Sequence, residues 1–203
     1  MQDIELEQAI EVLLAHAVPV AETERVPLLE AVGRVAAEDV YAAFDNPPFD
    51  RSPLDGYTFA AASTADATEE RPVRLSVIGE ECAGDFFAGA VGAGECVRIM
   101  TGGAIPKGCD CVVRQEDVRE EGDAIFVPFT SQPFENYCYA GEDIKKGNLL
   151  VRRGQRIRAA QIAVLASEGH ADVCVHRRVH IAVASTGDEL LQPGEPLRPG
   201  KIY

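Results

Sequence analysis

The chain has 203 residues, of which 46% are hydrophobic and 26% are charged. These proportions are typical of a folded protein with one large or two small domains, and they exclude a disordered or peptide-sized molecule. The net charge of -14 at pH 7 argues against a nucleic-acid-binding protein. Because no apolar run approaches the roughly 20 residues of a membrane span and the amino terminus carries acids where a secretory signal carries bases, we expect a cytoplasmic protein without a membrane partner.

The charge is unevenly distributed along the chain. Residues 1–45 contain ten acidic and two basic side chains, residues 46–140 contain sixteen and seven, and residues 141–203 contain seven and ten. The net charges of the three parts are therefore -8, -9 and +3. This distribution predicts that an anionic ligand would contact the last part of the chain.

The first predicted element is a helix from Asp3 to His16. Its apolar residues recur at helical spacing, and Pro19 ends the pattern. The spaced residues are Leu6, Ile10, Leu13, Leu14 and Ala17. Two alternatives are open for this apolar face, namely packing against its own domain or against a second subunit.

A break at Asn46-Pro47-Pro48 predicts a domain boundary near residues 45–50, because two adjacent prolines continue neither a helix nor a central strand. Beyond the break, strand-like runs with β-branched residues alternate with turns rich in glycine or acids. The runs are RPVRLSVIGE, ECVRIM, DCVVRQED and AIFVPF. Residues 50–138 are therefore predicted to form a mainly β module.

The composition changes after Gly141. Residues 145–158 carry six basic side chains and no acid, and they predict two strands around a turn at Arg153-Gly154, for which a solvated hairpin is favoured over an anion contact. A helix is predicted from Ala159 to Glu168, with Ile162, Leu165 and Ala166 facing inward and Gly169 ending it. Two further strands are predicted in ADVCVH and VHIAVAST. The second is apolar on both faces and has no partner strand, so we expect the chain to be part of a larger protein.

The six cysteines predict neither a disulfide framework nor a metal site. They occur at positions 82, 96, 109, 111, 138 and 174, and no two are separated by the CxxC spacing of metal-binding or redox pairs. We expect them to be ordinary core or surface thiols.

Four short stretches concentrate acids, hydroxyls and glycines in loops beside predicted strands. They are Ser52–Tyr57, Met100–Ala104, Gly141–Ile144 and Ser185–Leu190. Each has an ordinary structural explanation when taken alone, such as a turn or a helix cap. A chemical interpretation therefore depends on their joint occurrence.

The motifs LDGY, MTGGAIP, GEDI and STGDEL, in this order, resemble the amino-terminal part of the molybdopterin molybdotransferase family, which includes the MoeA proteins and the gephyrin E domain. The resemblance covers essentially the whole chain and implies a mixed α/β fold that is mainly β. Residues 1–45 and 139–175 would form an elongated, discontinuous subdomain that forms the dimer, and residues 46–138 an inserted β module. Residues 176–203 would begin a truncated α/β molybdopterin-binding domain. The resemblance also implies a homodimer whose active cleft takes residues from both subunits.

The reaction implied by the resemblance is insertion of molybdate into adenylylated molybdopterin, a pterin substrate, with release of AMP and assistance from Mg²⁺. Molybdopterin adenylyltransferase would be a partner, and the present chain alone is expected to be inactive. The catalytic residues implied by motif match are Asp55, Thr101, Asp143 and Glu189, of which the three carboxylates would bind Mg²⁺. The substrate-binding residues would be Gly102, Gly103, Thr186, Gly187 and Asp188. Backbone amides of Gly102 and Gly103 would bind a phosphate or oxyanion, and Thr186 to Asp188 would face ligand at a helix N-terminus, with capping of that helix as the alternative.

Two positions depart from the family pattern. The stretch Asn136–Ala140 lacks the arginine that usually precedes GEDI, and Arg51 stands where asparagine is usual. An anion contact assigned to the absent arginine is therefore in doubt, and compensation by Arg51 is open. Two other functions are also open. One is a scaffold or anchoring protein of the gephyrin type, and the other is a generic Mg²⁺-dependent phosphate-ester hydrolase, which fits the acids but not the order of the motifs.

Overall fold

A computed structural model describes residues 4–183 and 185–203 of the chain. The described residues contain two α-helices and ten strands, so the predicted mixed α/β, mainly β class is confirmed. In chain order they are α1 (Leu6–Ala15), β1 (Thr23–Pro27), β2 (Val40–Tyr41), β3 (Gly56–Phe59), β4 (Val73–Glu81), β5 (Glu95–Ile99), β6 (Cys111–Arg114), β7 (Arg119–Glu121), β8 (Ala124–Val127), β9 (Leu149–Val151), α2 (Ala159–Ser167) and β10 (Asp172–His176). No described helix has the length and apolar character needed to cross a membrane.

Six strands form one sheet in the order β6-β3-β5-β4-β8-β7. The β4 and β5 pair is parallel and the other pairs are antiparallel. Its core includes Tyr57, Phe59, Leu75, Cys96, Val113 and Ile125, all buried. The four strands predicted from hydrophobic runs are confirmed as β4, β5, β6 and β8. Sequence reasoning missed β3, which begins inside the LDGY motif, and β7, whose three residues are charged and exposed.

Two small antiparallel sheets join the beginning of the chain to its later part. β1 pairs with β10, and β2 pairs with β9. A second core lies against these pairs and includes Val26, Ile157, Leu165, Val173 and Val175. Helix α2 contributes Ile162 and Leu165 to this core, as predicted. Ala166, also predicted to face inward, is exposed instead.

Residues 149–157 do not form the predicted hairpin. Val151 in β9 lies opposite Val40, and Arg156 lies opposite Val35 in an isolated bridge. The turn at Arg153-Gly154 is present, but each side of it pairs with a different segment from the first 45 residues rather than with the other side. These long-range partners could not be read from the local pattern.

Helix α1 buries none of its residues against the rest of the described chain. Leu6 and Leu13 are 70% and 72% exposed. The alternative in which this helix packs on its own domain is therefore wrong for the described residues, and packing against a second subunit remains a prediction. Asp3, the predicted first residue, lies outside the described residues.

The strand predicted at residues 179–186 is not formed at residues 179–183 or at 185–186, while Ala184 lies outside the described residues. Val179, Ile181 and Val183 are 66%, 82% and 89% exposed. A strand needs a neighbour to satisfy its backbone hydrogen-bonding groups, and no described strand pairs with this segment. The helix predicted after Thr186-Gly187-Asp188 is also absent from residues 185–203, which removes the geometric basis for both the helix N-terminus and the capping alternative.

Candidate active site

Residues 46–52 connect three of the four motifs through backbone hydrogen bonds. The Ser52 amide donates to the Gly103 carbonyl at 2.9 Å, and the Gly102 amide donates to the Ser52 carbonyl at 2.8 Å. On the other side, the Asn46 carbonyl accepts the amide of Asp143 at 3.1 Å. Because Asp55 follows shortly after Ser52, the LDGY, MTGG and GEDI motifs converge on this segment.

Asp55 and Thr101 form the most direct contact between two motifs. One Asp55 carboxylate oxygen accepts hydrogen bonds from both the Thr101 amide and the Thr101 hydroxyl, each at 2.7 Å. These two donors stabilise the ionised form, and they lower the pKa of Asp55 although its side chain is exposed to solvent. The carboxylate is therefore oriented and held as an anion at the start of β3.

Gly56 explains why the chain can place Asp55 there. A Cβ at position 56 would lie 1.8 Å from the Val113 carbonyl oxygen, so only glycine allows β3 to approach β6 this closely. The Asp-Gly pair, which the sequence also permits as an ordinary turn, is thus the start of a central strand. Asp55 is the last residue before that strand and remains exposed.

The Thr101-Gly102-Gly103 turn is closed by its own backbone. The Thr101 amide donates to Asp55, the Gly102 amide to Ser52, and the Gly103 amide to the Met100 carbonyl at 2.8 Å. A Cβ on Gly103 would lie 2.9 Å from that carbonyl oxygen, and Gly102 has a φ of +85°. The two glycines therefore shape the turn. Their amides are already used within the chain, so this geometry lends no support to the predicted phosphate contact through them.

Asp143 is held by its backbone and faces a cation. Its carboxylate lies 3.6 Å from a guanidinium nitrogen of Arg51, with both side chains partly exposed. Behind it, the Asn46 side-chain amide donates to Glu168 at 3.1 Å, and Glu168 is only 2% exposed. Asn46 therefore links the GEDI motif to the end of α2.

Arg51 was not among the predicted site residues. The only sequence signal for it was its departure from the asparagine usual in the family. In the structure it lies opposite Cys138, in the stretch that lacks the usual arginine, and the two backbones exchange hydrogen bonds of 2.9 and 3.0 Å. Burial raises the pKa of the Cys138 thiol, and the positive charge of Arg51 acts in the opposite direction. Arg51 thus brings a guanidinium to the stretch before GEDI.

Asp50 holds the stretch Asn136–Ala140 through two hydrogen bonds. Its carboxylate accepts the Tyr137 hydroxyl at 2.6 Å and the Ala140 amide at 2.8 Å. Burial, followed by the bond to Asp50, raises the pKa of Tyr137, so this hydroxyl stays a donor. Sequence reasoning missed both residues, because a tyrosine and an aspartate 87 positions apart give no local signal.

The fourth motif makes its described contacts with residues 201–202. The Glu189 carbonyl accepts the Ile202 amide at 2.8 Å, and the Lys201 ammonium donates to the Asp188 carbonyl. A Cβ on Gly187 would lie 2.5 Å from the Glu189 carboxylate, so glycine lets that side chain fold back over the loop. Within residues 4–183 and 185–203, no hydrogen bond or ion pair joins residues 185–190 to the other motifs.

The predicted magnesium ligands do not form a cluster in one chain. Among the described residues, no group of three or more His, Cys, Asp or Glu side chains is placed to hold a metal ion. Asp55, Asp143 and Glu189 therefore do not fit a complete three-carboxylate site within this subunit. All six cysteines are free thiols in the described structure.

Comparison with known proteins places these features in context. Residues 4–169 match the family model described as the MoeA N-terminal region, domains I and II. The molybdopterin molybdenumtransferase of Bacillus subtilis is 41% identical over 185 residues, covering 89% of this chain and 43% of that protein. The enzyme of the same name from Haemophilus influenzae is 38% identical over 200 residues, covering 98% and 48%.

A solved structure is also similar to this chain over most of its length. The molybdopterin biosynthesis MoeA protein of Pyrococcus horikoshii superposes with a TM-score of 0.84 at 40% identity, covering 96% of this chain and 51% of that one. The present chain spans about half the length of the relatives that it matches.

Proposed function

The chain belongs to the family of the MoeA N-terminal region, and from this premise we propose that the protein carrying it is a molybdopterin molybdenumtransferase. The reaction we propose is insertion of molybdate into adenylylated molybdopterin with release of AMP. The observation that carries the proposal is the convergence of the Asp55–Thr101 and Arg51–Asp143 contacts on residues 46–52. Two of these four residues, Asp55 and Asp143, are exposed carboxylates held in defined positions.

The chemical task requires two anions, molybdate and a phosphate-bearing pterin, to approach one another. The partly exposed guanidinium of Arg51 supplies a positive charge and planar donors for such an oxyanion. Thr101 keeps Asp55 ionised and oriented, so Asp55 serves as a fixed acceptor for substrate hydroxyl or amine groups. Asp143 positions the Arg51 guanidinium by direct attraction.

We also propose that the reaction depends on Mg²⁺, because the family resemblance implies this ion. Mg²⁺ prefers oxygen ligands and would screen the repulsion between carboxylates and phosphates. Because the three carboxylates are not gathered in one subunit, we derive no step through the ion. We propose instead that the protein is a homodimer, in which carboxylates from two subunits come close together. Among the described residues, no hydrogen bond or ion pair joins residues 185–190 to the other motifs, and a cleft shared between two subunits would bring them together.

The proposed domain division follows the pairing of strands. Residues 1–45 and 139–175 would form one subdomain, because β1 pairs with β10 and β2 pairs with β9. Residues 46–138 would form the inserted module that contains the six-stranded sheet, and residues 176–203 would begin the pterin-binding domain. We also propose a cytoplasmic location and molybdopterin adenylyltransferase as the supplier of substrate. No observation on the described residues favours the scaffold alternative.

The proposal is tested in the full-length protein with purified adenylylated molybdopterin and molybdate. We expect Asp55→Ala, Asp143→Ala and Glu189→Ala each to abolish molybdenum insertion and AMP release while leaving the protein folded, as judged by a single cooperative thermal unfolding transition. Asp123→Ala is the matched control, because this carboxylate is 88% exposed in the turn before β8 and lies in none of the motifs. Normal insertion by all three variants would falsify the assignment. Activity that persists after chelation of divalent cations would remove only the magnesium proposal.

A further inference from the structure

An arginine-lined cleft lies outside the candidate active site. Its main cavity has a volume of about 480 Å³, and an adjoining one has a volume of about 430 Å³. The two share Val35, His176, Arg177 and Val179 in their walls, so they form one continuous depression. We call it the arginine cleft, and define it by Arg34, Arg153, Arg156, Arg177 and Arg178.

Backbone hydrogen bonds fix the walls of the arginine cleft. The Ile157 amide donates to the Arg34 carbonyl, and the His176 amide donates to the Val35 carbonyl, each at 2.8 Å. Residues 34–36 are therefore bound between the segment around Arg156 and the end of β10. The arginines come from three separate parts of the sequence and are brought together by this pairing.

One arginine forms a rigid base for the cleft. Arg34 is only 8% exposed, and its guanidinium donates to Glu24 and, at 2.8 Å, to the His176 carbonyl. The ring nitrogen Nδ1 of His176 is buried, and no described residue hydrogen-bonds to it. This nitrogen is inaccessible from the cleft, so His176 contributes to the wall through the rest of its side chain and its backbone.

The positive charge of the cleft is only partly neutralised. Arg34 is paired with Glu24, and Arg177 with Glu22 at 2.8 Å. Arg153, Arg156 and Arg178 make no ion pair with any described carboxylate, although Asp39 accepts the backbone amide of Arg153 at 2.7 Å. Three guanidinium groups in one depression thus lack a described carboxylate partner, although the chain as a whole has a net charge of -14. The surplus makes this depression a local site of positive potential.

The shape and charge select a class of ligand. Guanidinium groups bind phosphate oxygens through paired hydrogen bonds, and a cavity of this volume lies within the range of roughly 300–1,000 Å³ found for small-molecule sites. The acidic surface elsewhere disfavours nucleic acid. Glu24 and Glu22 already occupy Arg34 and Arg177, so the guanidinium groups left for a phosphate are those of Arg153, Arg156 and Arg178.

We propose that the arginine cleft binds a soluble phosphate-bearing molecule of nucleotide size, with Arg156 and Arg178 as its principal contacts. Arg156 and Arg178 line the same cavity, and neither makes an ion pair with a described carboxylate. Gly33 has a φ of +80°, a backbone conformation that favours glycine, and it lies in the same wall as Arg156. The proposal concerns residues outside the candidate active site and does not rest on the proposed function.

Calorimetric titration of the full-length protein with AMP, and separately with adenosine, tests this proposal. We expect AMP to bind saturably and adenosine, which lacks the phosphate, not to bind. Arg156→Gln and Arg178→Gln should each weaken AMP binding by about tenfold or more, since a hydrogen bond between charged groups contributes that much to affinity. Arg74→Gln is the matched control. It removes the same charge from β4, where Arg74 contacts Ser76 and Asp123, and should leave the affinity unchanged.

Three outcomes would overturn the proposal. The first is the absence of saturable AMP binding at millimolar concentration. The second is binding that Arg156→Gln and Arg178→Gln leave intact, which would place the ligand elsewhere, for example in the candidate active site. The third is binding of a glutamate-rich peptide in preference to AMP, which would identify the cleft as a protein-docking surface. Because binding is measured without molybdate, a failure here leaves molybdenum insertion unaffected, and the reverse also holds.

Discussion

Arg51 and Cys138 lie directly opposite each other and exchange backbone hydrogen bonds of 2.9 and 3.0 Å. The same guanidinium lies 3.6 Å from Asp143, whereas Ser52, the next residue, is bonded to the Thr-Gly-Gly turn. This pairing therefore joins two of the candidate motifs across one short segment. It also makes the Cys138 thiol a reporter of the Arg51 charge.

Replacement of Arg51 by glutamine should raise the pKa of the Cys138 thiol further. Burial already raises this pKa, and the positive charge of Arg51 is the influence that lowers it. A higher pKa leaves less thiolate at pH 8, so alkylation of Cys138 should become slower. The rate is measured against pH by mass spectrometry of the peptide that contains Cys138. Arg51→Lys, which keeps the charge, should resemble the unaltered protein, and an unchanged profile in Arg51→Gln would show that the charge does not reach the thiol.

Replacement of Thr101 by valine should raise the pKa of Asp55 towards its ordinary value. The variant loses the hydroxyl donor but keeps the backbone amide, and Thr101→Ser restores the hydroxyl. Because the folded-state pKa is lowered, the associated stability is present above the pKa of the unfolded chain and is lost as pH falls through the folded-state pKa. Carboxyl carbon NMR of Asp55 measures the change. Identical titration of the serine and valine variants would contradict the role assigned to the hydroxyl.

Gly56→Ala should destabilise the six-stranded sheet strongly. The added methyl would meet the Val113 carbonyl oxygen at 1.8 Å, and neither backbone can move without disturbing the pairing of β3 with β6. We expect a loss of roughly 3 kcal/mol in the free energy of unfolding, at the upper end of the range for overpacking. Gly92→Ala is the control, since its new methyl would meet only the flexible Glu95 carboxylate at 3.1 Å. Denaturant unfolding compares the two, and equal stability would show that β3 and β6 are farther apart than described.

The spacing of apolar residues correctly predicted the elements that bury one face through their own local sequence. The periodicity of α2 and the apolar runs of β4, β5, β6 and β8 each specify burial on a face, and all are present. The incorrect predictions share one physical cause. In each case the structure depends on whether a strand distant in sequence pairs with the segment. Residues 149–157 pair with Val35 and Val40 instead of with one another, and residues 179–183 do not form a strand because no described neighbour pairs with them.

The residues of the candidate site also fall into those that the sequence indicated and those that depend on distant partners. Motif order indicated Asp55, Thr101 and Asp143, which the fold brings to one segment. It did not indicate Asp50, Tyr137 or the contact of Arg51 with Asp143, because these depend on which backbones lie side by side. The roles of the predicted residues stay predictions until they are tested by substitution.

Leu13→Glu in α1 tests whether a second copy covers this helix. Leu13 is 72% exposed, so a charge there should not alter the thermal stability of an isolated chain. If the apolar face packs on a second subunit, burial of the charge without a partner is unfavourable and the dimer should dissociate. Analytical ultracentrifugation of the full-length protein measures the mass. Glu11→Gln, on the same helix, is the control, and an unchanged dimer in Leu13→Glu would exclude α1 from the interface.

Tyr137→Phe should loosen the stretch that precedes the GEDI motif. The substitution removes the 2.6 Å bond from the hydroxyl to Asp50 and leaves the ring in place against Phe134 and Tyr139. A bond to a charged acceptor contributes about 2 kcal/mol, so the free energy of unfolding should fall by about that amount. Tyr41→Phe is the control, because its exposed hydroxyl makes only a 3.3 Å contact with Asp39. If the proposed function holds, the KM for the pterin substrate should also rise in Tyr137→Phe, since Asp50 holds the Ala140 amide just before Gly141. Equal stability of the two phenylalanine variants would show that Asp50 positions the GEDI segment through its backbone contact alone.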